Sequence, residues 1–526
     1  MRRSPTRSPG SASTTTTCPG TRTRTRCPRT GRASGSSPGT SRPRAGCRDR
    51  PGPSPVPSVP TVATVPGKES TVLHRPMDTS VDKRRPTAPH RLEDRLHALA
   101  RAHQVPGAQL AVHSGGTTRS KHTGVLDSIT GEPFTAGTAV PIGSLTKCYT
   151  ATVVMLLVAD GDVELDDQLG DHVPELRRAG PPCTVRQVLS HTAGLASGPD
   201  SDHVAALTTA RYLQAHCTDG KLVMEPGTDF SYSNAGYVAA GRLIETVTGM
   251  SWQDAVRSIL LDPLGTVPSF IGAPGAPMRQ AARGHSANKA SGRTRPVRQN
   301  LAPAEAAAGA LMASAPDLVA LALAHTQDGP GGLLPPELAE EMRRPVPGAD
   351  PGVLADGWGL GFALFQQGDA TWFGHDGNAQ GTSCYLRADP HTGTVVAFTS
   401  NSNSGADMWH ELSAELEEFT GIRVPGTPAR PRPAATPMAS TAQCTGIYLN
   451  GDIEYQVTMS DSGTLALSVD GDVPAPLVCH EDLTCDLVDP SSGRRIPGGR
   501  FVRDPRTGTV DRIQLSGRMA RKSALV

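Results

Sequence analysis

Ser144 and Lys147 stand three residues apart in the stretch Ile-Gly-Ser-Leu-Thr-Lys that begins at Ile142. In the first turn of a helix, residues at this spacing share one face and lie about 5–6 Å apart at Cβ. The same turn has free backbone N–H groups, which add partial positive charge. A lysine that accepts the proton of a neighbouring serine hydroxyl makes that serine a nucleophile. The spacing therefore indicates Ser144 as a candidate nucleophile and Lys147 as its base.

The run that follows, from Cys148 to Ala159, is apolar on nearly every side and predicts a helix buried in a protein core. Gly161 would end this helix. Burial at its start would lower the pKa of the lysine amine and suit it to act as a base. A second Ser-x-x-Lys, from Ser286 to Lys289, has no apolar face behind it and is interpreted as part of a solvated loop.

A second motif, Tyr-Ser-Asn, places Tyr232 and Asn234 between a turn at Pro226 and a segment with helical spacing. On an extended loop, the phenol and the carboxamide would lie on one side. A phenol near a lysine can share its proton and act as a general acid or base. The amide could hold the lysine amine and a substrate carbonyl. The similar run from Tyr448 to Asn450 lies in a very different sequence context.

His375, Gly377 and Asn378 form a third candidate group, in the stretch Trp-Phe-Gly-His-Asp-Gly-Asn. The pattern His-x-Gly is weak alone, but only this copy precedes two alternating runs joined by a turn at Asp389, which predict a β-hairpin. A glycine at position 377 would let a substrate approach the strand backbone closely. The N–H of Asn378 could stabilise a developing oxyanion.

Other residues that could carry chemistry are interpreted as structural. His191 follows a short predicted helix and is expected to shape a turn, although a catalytic role stays open. The acidic run from Glu164 to Asp167 has no companion ligands and is expected to be a solvated turn. The glycines between Gly357 and Phe362 lack the lysine and the helix of a phosphate loop, so a strand edge or bulge is expected. No metal and no cofactor are predicted.

The elements around these motifs predict helices packed on an antiparallel sheet. Leucines at helical spacing indicate a helix from Arg91 to His103, and two predicted strands follow it. Together with the hairpin after His375, they indicate an α+β fold.

Charge is unevenly distributed along the 526 residues. The formal net charge is +1, but residues 1–76 carry 14 Lys or Arg and 2 Asp or Glu, which leaves −11 on the rest of the chain. An acidic body argues against a nucleic-acid partner. Residues 1–76 are rich in Arg, Ser, Thr, Pro and Gly and are expected to be disordered. A basic arm that binds nucleic acid and a start of translation at Met77 are the alternatives.

Composition also divides the chain into four predicted parts. Residues 1–85 form a low-complexity extension, 86–422 the domain with the motifs, 423–442 a Pro-rich linker and 443–526 a second domain. The last part has short alternating runs between Gly and Asp turns, which predict a small antiparallel β-barrel. The ten cysteines form no C-x-x-C pair and are expected to be mostly reduced thiols. Without a visible signal peptide or membrane span, a cytoplasmic protein with no membrane partner is expected.

Ser-x-x-Lys on a buried helix, Tyr-Ser-Asn and then His-x-Gly before a hairpin, in this order, resemble the serine β-lactamase and penicillin-binding-protein superfamily. The likeness covers roughly residues 90–420 and is greatest to the class C branch, with its D,D-carboxypeptidase, D-aminopeptidase, esterase and transacylase relatives. It implies a β-lactamase-like antiparallel sheet flanked by helices, plus an all-helical subdomain. The tail is similar to the lipocalin-like domain that some members carry.

The resemblance also implies roles for the motif residues. Ser144 would attack an acyl carbonyl, while Lys147 and Tyr232 would move the proton. Asn234 would align the lysine and the substrate. The backbone N–H groups of Ser144 and Asn378 would form the oxyanion hole.

His375 stands where β-lactamases have the lysine of Lys-Thr-Gly. The loss of this fixed positive charge argues against β-lactamase activity and favours an ester, amide or D-peptide substrate. A serine hydrolase is therefore expected. The alternatives are a transacylase that passes the acyl group to an amine or alcohol in secondary-metabolite biosynthesis, and a catalytically silent binding protein. The expected partners are a small-molecule acyl donor and such an acceptor, while the oligomeric state stays open.

Overall fold

The computed structural model describes residues 92–272, 278–289, 291–326, 333–426, 436, 442–488 and 493–523. The predicted extension and most of the predicted linker lie outside these residues. The described part confirms the expected α+β fold class, since it contains an antiparallel sheet flanked by helices and a closed C-terminal barrel.

Strands and helices of the first domain alternate irregularly along the chain. The strands up to residue 426 are β1 (Gly107–Ser114), β2 (Thr117–Gly124), β3 (Val140–Pro141), β4 (His285–Asn288), β5 (Arg293–Pro296), β6 (Met312–Ala313), β7 (Gly357–Trp358), β8 (Ala363–Gln367), β9 (Ala370–Ala379), β10 (Thr382–Ala388) and β11 (Val395–Ser400). The described helices are α1 (Leu92–Ala102), α2 (Thr146–Ala159), α3 (Leu169–His172), α4 (Val185–Leu189), α5 (Ser201–Val204), α6 (Thr209–His216), α7 (Asn234–Thr248), α8 (Trp252–Ala255), α9 (Ala306–Gly309), α10 (Ala315–Leu323), α11 (Pro336–Arg343) and α12 (Gly405–Thr420).

A seven-stranded antiparallel sheet in the order β2-β1-β11-β10-β9-β8-β7 forms the centre of this domain. Its two faces are covered by different helices, because side chains alternate along each strand. Leu110 of β1 packs in a cluster with Leu96 of α1 and Leu412 of α12. Ala111, the next residue, faces the larger core that contains α2, α7 and α10. The first and last helices therefore lie on one face, and the helical part of the domain lies on the other.

Helix α2 is almost completely buried. Twelve of its residues, from Thr146 to Leu157, are buried, and α7 and α9 pack against it. Because it is surrounded on all sides, its sequence has no polar face. The chain turns after it at Gly161, whose φ of +80° is the left-handed conformation that glycine adopts without strain.

One segment differs from the loop expected around the second Ser-x-x-Lys. Strands β4 and β5 pair there as a small hairpin. Lys289 is half exposed and pairs with Asp407 of α12. It is therefore not placed to act as the base of a serine nucleophile. The hairpin was missed because its side chains are polar and show no apolar alternation.

The C-terminal domain is a closed antiparallel barrel. Its strands are β12 (Gly446–Asn450), β13 (Ile453–Met459), β14 (Leu465–Val469), β15 (Ala475–Cys479), β16 (Thr484–Val488), β17 (Arg495–Arg503), β18 (Val510–Leu515) and β19 (Arg518–Lys522). Pairing of Tyr448 with Lys522 closes the ring between its first and last strands. No helix in the described ranges is long and apolar enough to cross a bilayer.

Candidate active site

Ser144 lies in a 3-10 turn, Gly143–Leu145, that leads directly into α2. Strand β9 packs against this turn with almost no space between the two backbones. A Cβ on Gly143 would lie 2.1 Å from the carbonyl oxygen of Asn378, and a Cβ on Gly377 would lie 2.0 Å from that of Ile142. Gly377 thus lies against the backbone of the serine turn, and its expected role in admitting a substrate stays a prediction.

Lys147 is almost fully buried beneath the serine. Its Nζ donates a hydrogen bond to the Ala308 carbonyl at 2.8 Å and lies 3.3 Å from Ser144 Oγ. Burial, aided by the positive charge of Arg518, lowers the pKa of Lys147 to about 7. About half of the amine is therefore neutral at neutral pH and can accept a proton. The Ala308 carbonyl, which belongs to α9, holds the lysine amine. This is the contact that was expected of the Asn234 side chain.

Tyr232 contributes a buried phenol beside this pair. Its ring centre lies 5.1 Å from Lys147 Nζ. Burial raises the pKa of Tyr232, and the neighbouring Ser144 partly opposes this effect. Among the described residues, the hydroxyl has no hydrogen-bond partner of normal length. The phenol therefore keeps its proton at neutral pH and has it available for transfer.

The His191 ring packs against the Tyr232 ring. The two ring centres are 4.3 Å apart, and His191 Nδ1 accepts a hydrogen bond from the Ser233 N–H at 3.1 Å. Burial holds the pKa of His191 well below its usual value, so the ring is neutral. A φ of +60° at this residue shows that the turn is strained.

Asn234 is the first residue of α7, and Ser233 caps this helix. Ser233 Oγ accepts from the Gly236 N–H at 2.9 Å and donates to the Ala196 carbonyl at 2.6 Å. A serine at this position satisfies a backbone donor that the helix itself leaves free. The cap fixes the start of the helix, and the Asn234 side chain consequently lines the space next to Ser144.

His375 lies on β9 and carries no charge at neutral pH. Its Nδ1 is 2.6 Å from the Asp376 carbonyl oxygen, which requires the proton to be on Nδ1. Burial, with Lys147 as the next cause, lowers the pKa of His375 to about 3. The fixed positive charge of the lysine in Lys-Thr-Gly is therefore missing at this position.

Two cavities meet at Ser144, Asn234 and Asn378, which line both of them. The first has a volume of about 410 Å³ and is bordered by the carboxyl groups of Asp200 and Glu305. The second has a volume of about 330 Å³. Its walls are aromatic and include one guanidinium; they are formed by Tyr232, Trp358, Phe365 and Arg518, among others.

Arg518 reaches the second cavity from the barrel. It begins β19, and its guanidinium carbon lies 5.4 Å from the centre of the Tyr232 ring. The turn before it is fixed to the first domain by a hydrogen bond from the Tyr232 N–H to the Gly517 carbonyl at 2.8 Å. Gln514 of β18 also donates to the Phe230 carbonyl at 3.0 Å. The barrel thus forms part of the wall of the site.

Sequence analysis missed four residues that the structure places at the site, namely Ala308, Glu305, Trp358 and Arg518. Glu305 is the one acidic residue in the alanine-rich run 302–315, and that isolated charge was a usable signal. No local pattern marks the other three. Within the described ranges, no group of three or more His, Cys, Asp or Glu side chains is placed to hold a metal ion.

Comparison with known proteins adds to this geometry. The family model named Beta-lactamase matches residues 91–418, which include every motif residue and exclude the barrel. Penicillin-binding protein 4 of Amycolatopsis lactamdurans is 34% identical over 376 residues, which cover 67% of this chain and 97% of that protein. Unguisins hydrolase ungD' of Aspergillus campestris is 27% identical over 344 residues, which cover 60% of this chain and 62% of that protein.

Solved structures of SurE resemble the chain over both domains. The crystal structure of SurE aligns with a TM-score of 0.74 at 39% identity, and the alignment covers 82% of this chain and 98% of SurE. A second crystal structure, of SurE with D-Leu, aligns with a TM-score of 0.72 at 38% identity and the same coverage.

Proposed function

The chain belongs to the beta-lactamase family of serine hydrolases, and from this premise we propose that it forms a covalent acyl-enzyme on Ser144 with an ester, amide or D-peptide donor. One observation carries the proposal: Ser144 Oγ lies 3.3 Å from an amine, on Lys147, that is buried and has a pKa of about 7. A neutral amine at that distance can remove the hydroxyl proton as the oxygen attacks.

Each remaining motif residue has a role in the proposed reaction. Lys147 takes the proton of Ser144 as Oγ bonds to the acyl carbon. The N–H groups of Ser144 and Asn378 stabilise the oxyanion. Tyr232, which holds its proton at neutral pH, protonates the leaving group as the bond from that group to the acyl carbon breaks. Water or another acceptor then attacks the acyl carbon and gives its proton to the Tyr232 phenolate. The bond between the acyl carbon and Oγ breaks, and Lys147 returns its proton to the serine.

The donor we propose is not a β-lactam. The neutral His375 supplies no charge for the carboxylate that a lysine would bind at this position. A D-configured donor is favoured by the similarity to SurE, which has been crystallised with D-Leu.

A transacylase is the second candidate, and the two cavities favour it. Because both cavities reach Ser144, a donor in one leaves space for an acceptor in the other. An amine or alcohol bound there would compete with water for the acyl group.

The test is a burst-phase assay with a chromogenic ester, combined with intact-protein mass spectrometry. Wild type is expected to show a burst of one equivalent and a covalent adduct, and Ser144→Ala neither. Ser286→Ala, in the second Ser-x-x-Lys, is the matched control and should behave as wild type. A burst that persists in Ser144→Ala would refute the assignment. Product analysis with added amine then separates hydrolysis from acyl transfer.

A further inference from the structure

The first cavity contains a buried carboxyl group that the proposed acyl transfer does not use. Glu305 is 3% exposed and ends the turn Pro303–Glu305, which leads into α9. Its Oε2 accepts a hydrogen bond from the Ser201 hydroxyl. The same stretch of chain holds Lys147 through the Ala308 carbonyl, so this carboxyl group is fixed relative to the nucleophile.

A carboxylate in this place lacks a full counter-charge. Among the described residues that line the first cavity, there is no lysine, arginine or histidine. Burial raises the pKa of Glu305, and Lys147 opposes this only in part. Asp200, exposed at the same cavity, adds a second negative charge. Buried carboxylates are usually paired with a cation. A cationic ligand group would therefore offset the free-energy cost of burying the Glu305 carboxylate, which the protein alone does not offset.

A buried phenol lies beside the carboxyl group. Tyr212 is fully buried, and among the described residues its hydroxyl has no hydrogen-bond partner of normal length. Burial raises the pKa of Tyr212, and the neighbouring Glu305 carboxylate raises it further, so the phenol is neutral. Tyr212 is not among the residues that line the cavity, and it brings no positive charge that would offset the carboxylate.

The second cavity differs in its charged groups. Its lining includes the Arg518 guanidinium and the Asp376 carboxylate, which pairs with Arg387 at 2.6 Å, while His375 is neutral there. A ligand cation is therefore attracted more strongly to the first cavity, where Glu305 and Asp200 face no lysine, arginine or histidine among the described lining residues. The charge difference across Ser144 gives a substrate a preferred orientation.

We propose that the Glu305 carboxylate binds a primary ammonium group of a ligand in the first cavity, next to Ser144. This site rests on the proposed acyl transfer and specifies its substrate. The ammonium group belongs either to the acyl donor or to an incoming amine acceptor. In the second case, the ammonium loses one proton to solvent, and its nitrogen bonds to the acyl carbon. One of its two remaining protons passes to the Tyr232 phenolate and the other stays on the amide nitrogen, while the bond from the acyl carbon to Oγ breaks and Lys147 returns its proton to Oγ.

Binding is tested first, without chemistry, in the Ser144→Ala protein. NMR titration at pH 7 compares D-alanine amide, which carries an ammonium group, with N-acetyl-D-alanine amide, which does not. The ammonium ligand should bind about tenfold more tightly, as a charge-assisted hydrogen bond allows. Glu305→Gln, introduced into the Ser144→Ala protein, should abolish the preference for the ammonium ligand. Asp202→Asn in the same protein should preserve it, since Asp202 is an exposed residue of α5 next to Ser201. Equal affinities for the two ligands, or a preference that survives Glu305→Gln, would overturn the proposal.

Kinetics of the protein with an intact Ser144 then separate the two sources of the ammonium. The donor is an N-acetylated chromogenic ester, and glycinamide and methanol are offered together as acceptors. The ratio of the amide product to the ester product is measured. An acceptor site predicts that Glu305→Gln lowers this ratio about tenfold while the burst keeps its amplitude of one equivalent. A donor site predicts that Glu305→Gln leaves this ratio unchanged. It also predicts that kcat/KM falls for a chromogenic ester with a free amino group but not for the N-acetylated ester. A loss of the burst itself in Glu305→Gln would indicate a structural role and refute the site. Absence of a burst in wild type, with the binding preference intact, would refute acyl transfer but not the ammonium site.

Discussion

At the scale of single residues, the environment of Lys147 decides whether the serine can react. A solvated lysine is protonated at neutral pH and cannot act as a base. Burial under α9 and the sheet lowers its pKa to about 7, and the Arg518 guanidinium contributes to the shift. Both domains therefore contribute to the lowered pKa of the base, because the arginine comes from the barrel.

The rate of acylation is expected to follow the deprotonation of Lys147. It should fall about tenfold per pH unit below a midpoint near 7, because only the neutral amine accepts the serine proton. Arg518→Gln removes a nearby positive charge, so the pKa of Lys147 should rise and the midpoint should move to higher pH. Stopped-flow measurement of the burst rate against pH gives both midpoints.

Arg521→Gln provides the matched control for this shift. Arg521 lies on the same strand as Arg518 and is exposed. Its loss should leave the midpoint at its wild-type position. An unchanged midpoint in Arg518→Gln would show that burial alone sets the pKa.

At the scale of elements, the site depends on how closely β9 approaches the serine turn. The two glycines at this contact leave no space for a Cβ. They bring the backbones next to Ser144 and Asn378, from two distant elements, into contact. The sheet therefore positions half of the proposed oxyanion hole, and α2 positions the other half.

Gly377→Ala is expected to damage both stability and activity. The added Cβ would meet the Ile142 carbonyl oxygen at 2.0 Å, which forces the strand away from the turn. Such overpacking costs about 1–3 kcal/mol, and the burst should slow because the oxyanion donors separate. Urea denaturation and the burst rate measure the two effects. Gly137→Ala, where a Cβ would meet nothing within 4 Å, should change neither.

At the scale of the whole molecule, the barrel is attached through buried polar contacts. Asn450 Oδ1 accepts from the Ser197 N–H at 2.8 Å, and its Nδ2 donates to the Met519 carbonyl at 2.6 Å. Arg500 forms ion pairs with Asp229 and Asp350 of the first domain. These contacts surround the turn that carries Arg518, so the attachment of the barrel also maintains the wall of the second cavity.

Asn450→Ala should destabilise the protein and weaken catalysis together. It leaves a buried N–H and a buried carbonyl without partners, and each such loss costs about 1–3 kcal/mol. The acylation midpoint should also rise, since Arg518 would no longer be held near Lys147. Urea denaturation and the pH profile of the burst rate test this prediction. Gln456→Ala, which removes an exposed amide of the barrel, is the control. A destabilised variant with an unchanged midpoint would show that the contact serves stability alone.

The sequence by itself determined much of the fold and the composition of the candidate site. The α+β fold class, the C-terminal barrel and the family are confirmed. Helices α2 and α7 and the hairpin of β10 and β11 depend on residues a few positions apart, and hydrophobic periodicity reveals such local structure. The three motifs also named residues that the structure brings together around Ser144.

Only the tertiary structure decided which groups surround those residues. The Ala308 carbonyl holds the lysine, Gly377 lies against the serine turn, Glu305 lines the first cavity and Arg518 lines the second. These contacts join residues that are far apart in the chain. They depend on the packing of whole elements, which no local pattern specifies, and the pKa of Lys147 depends on that packing as well.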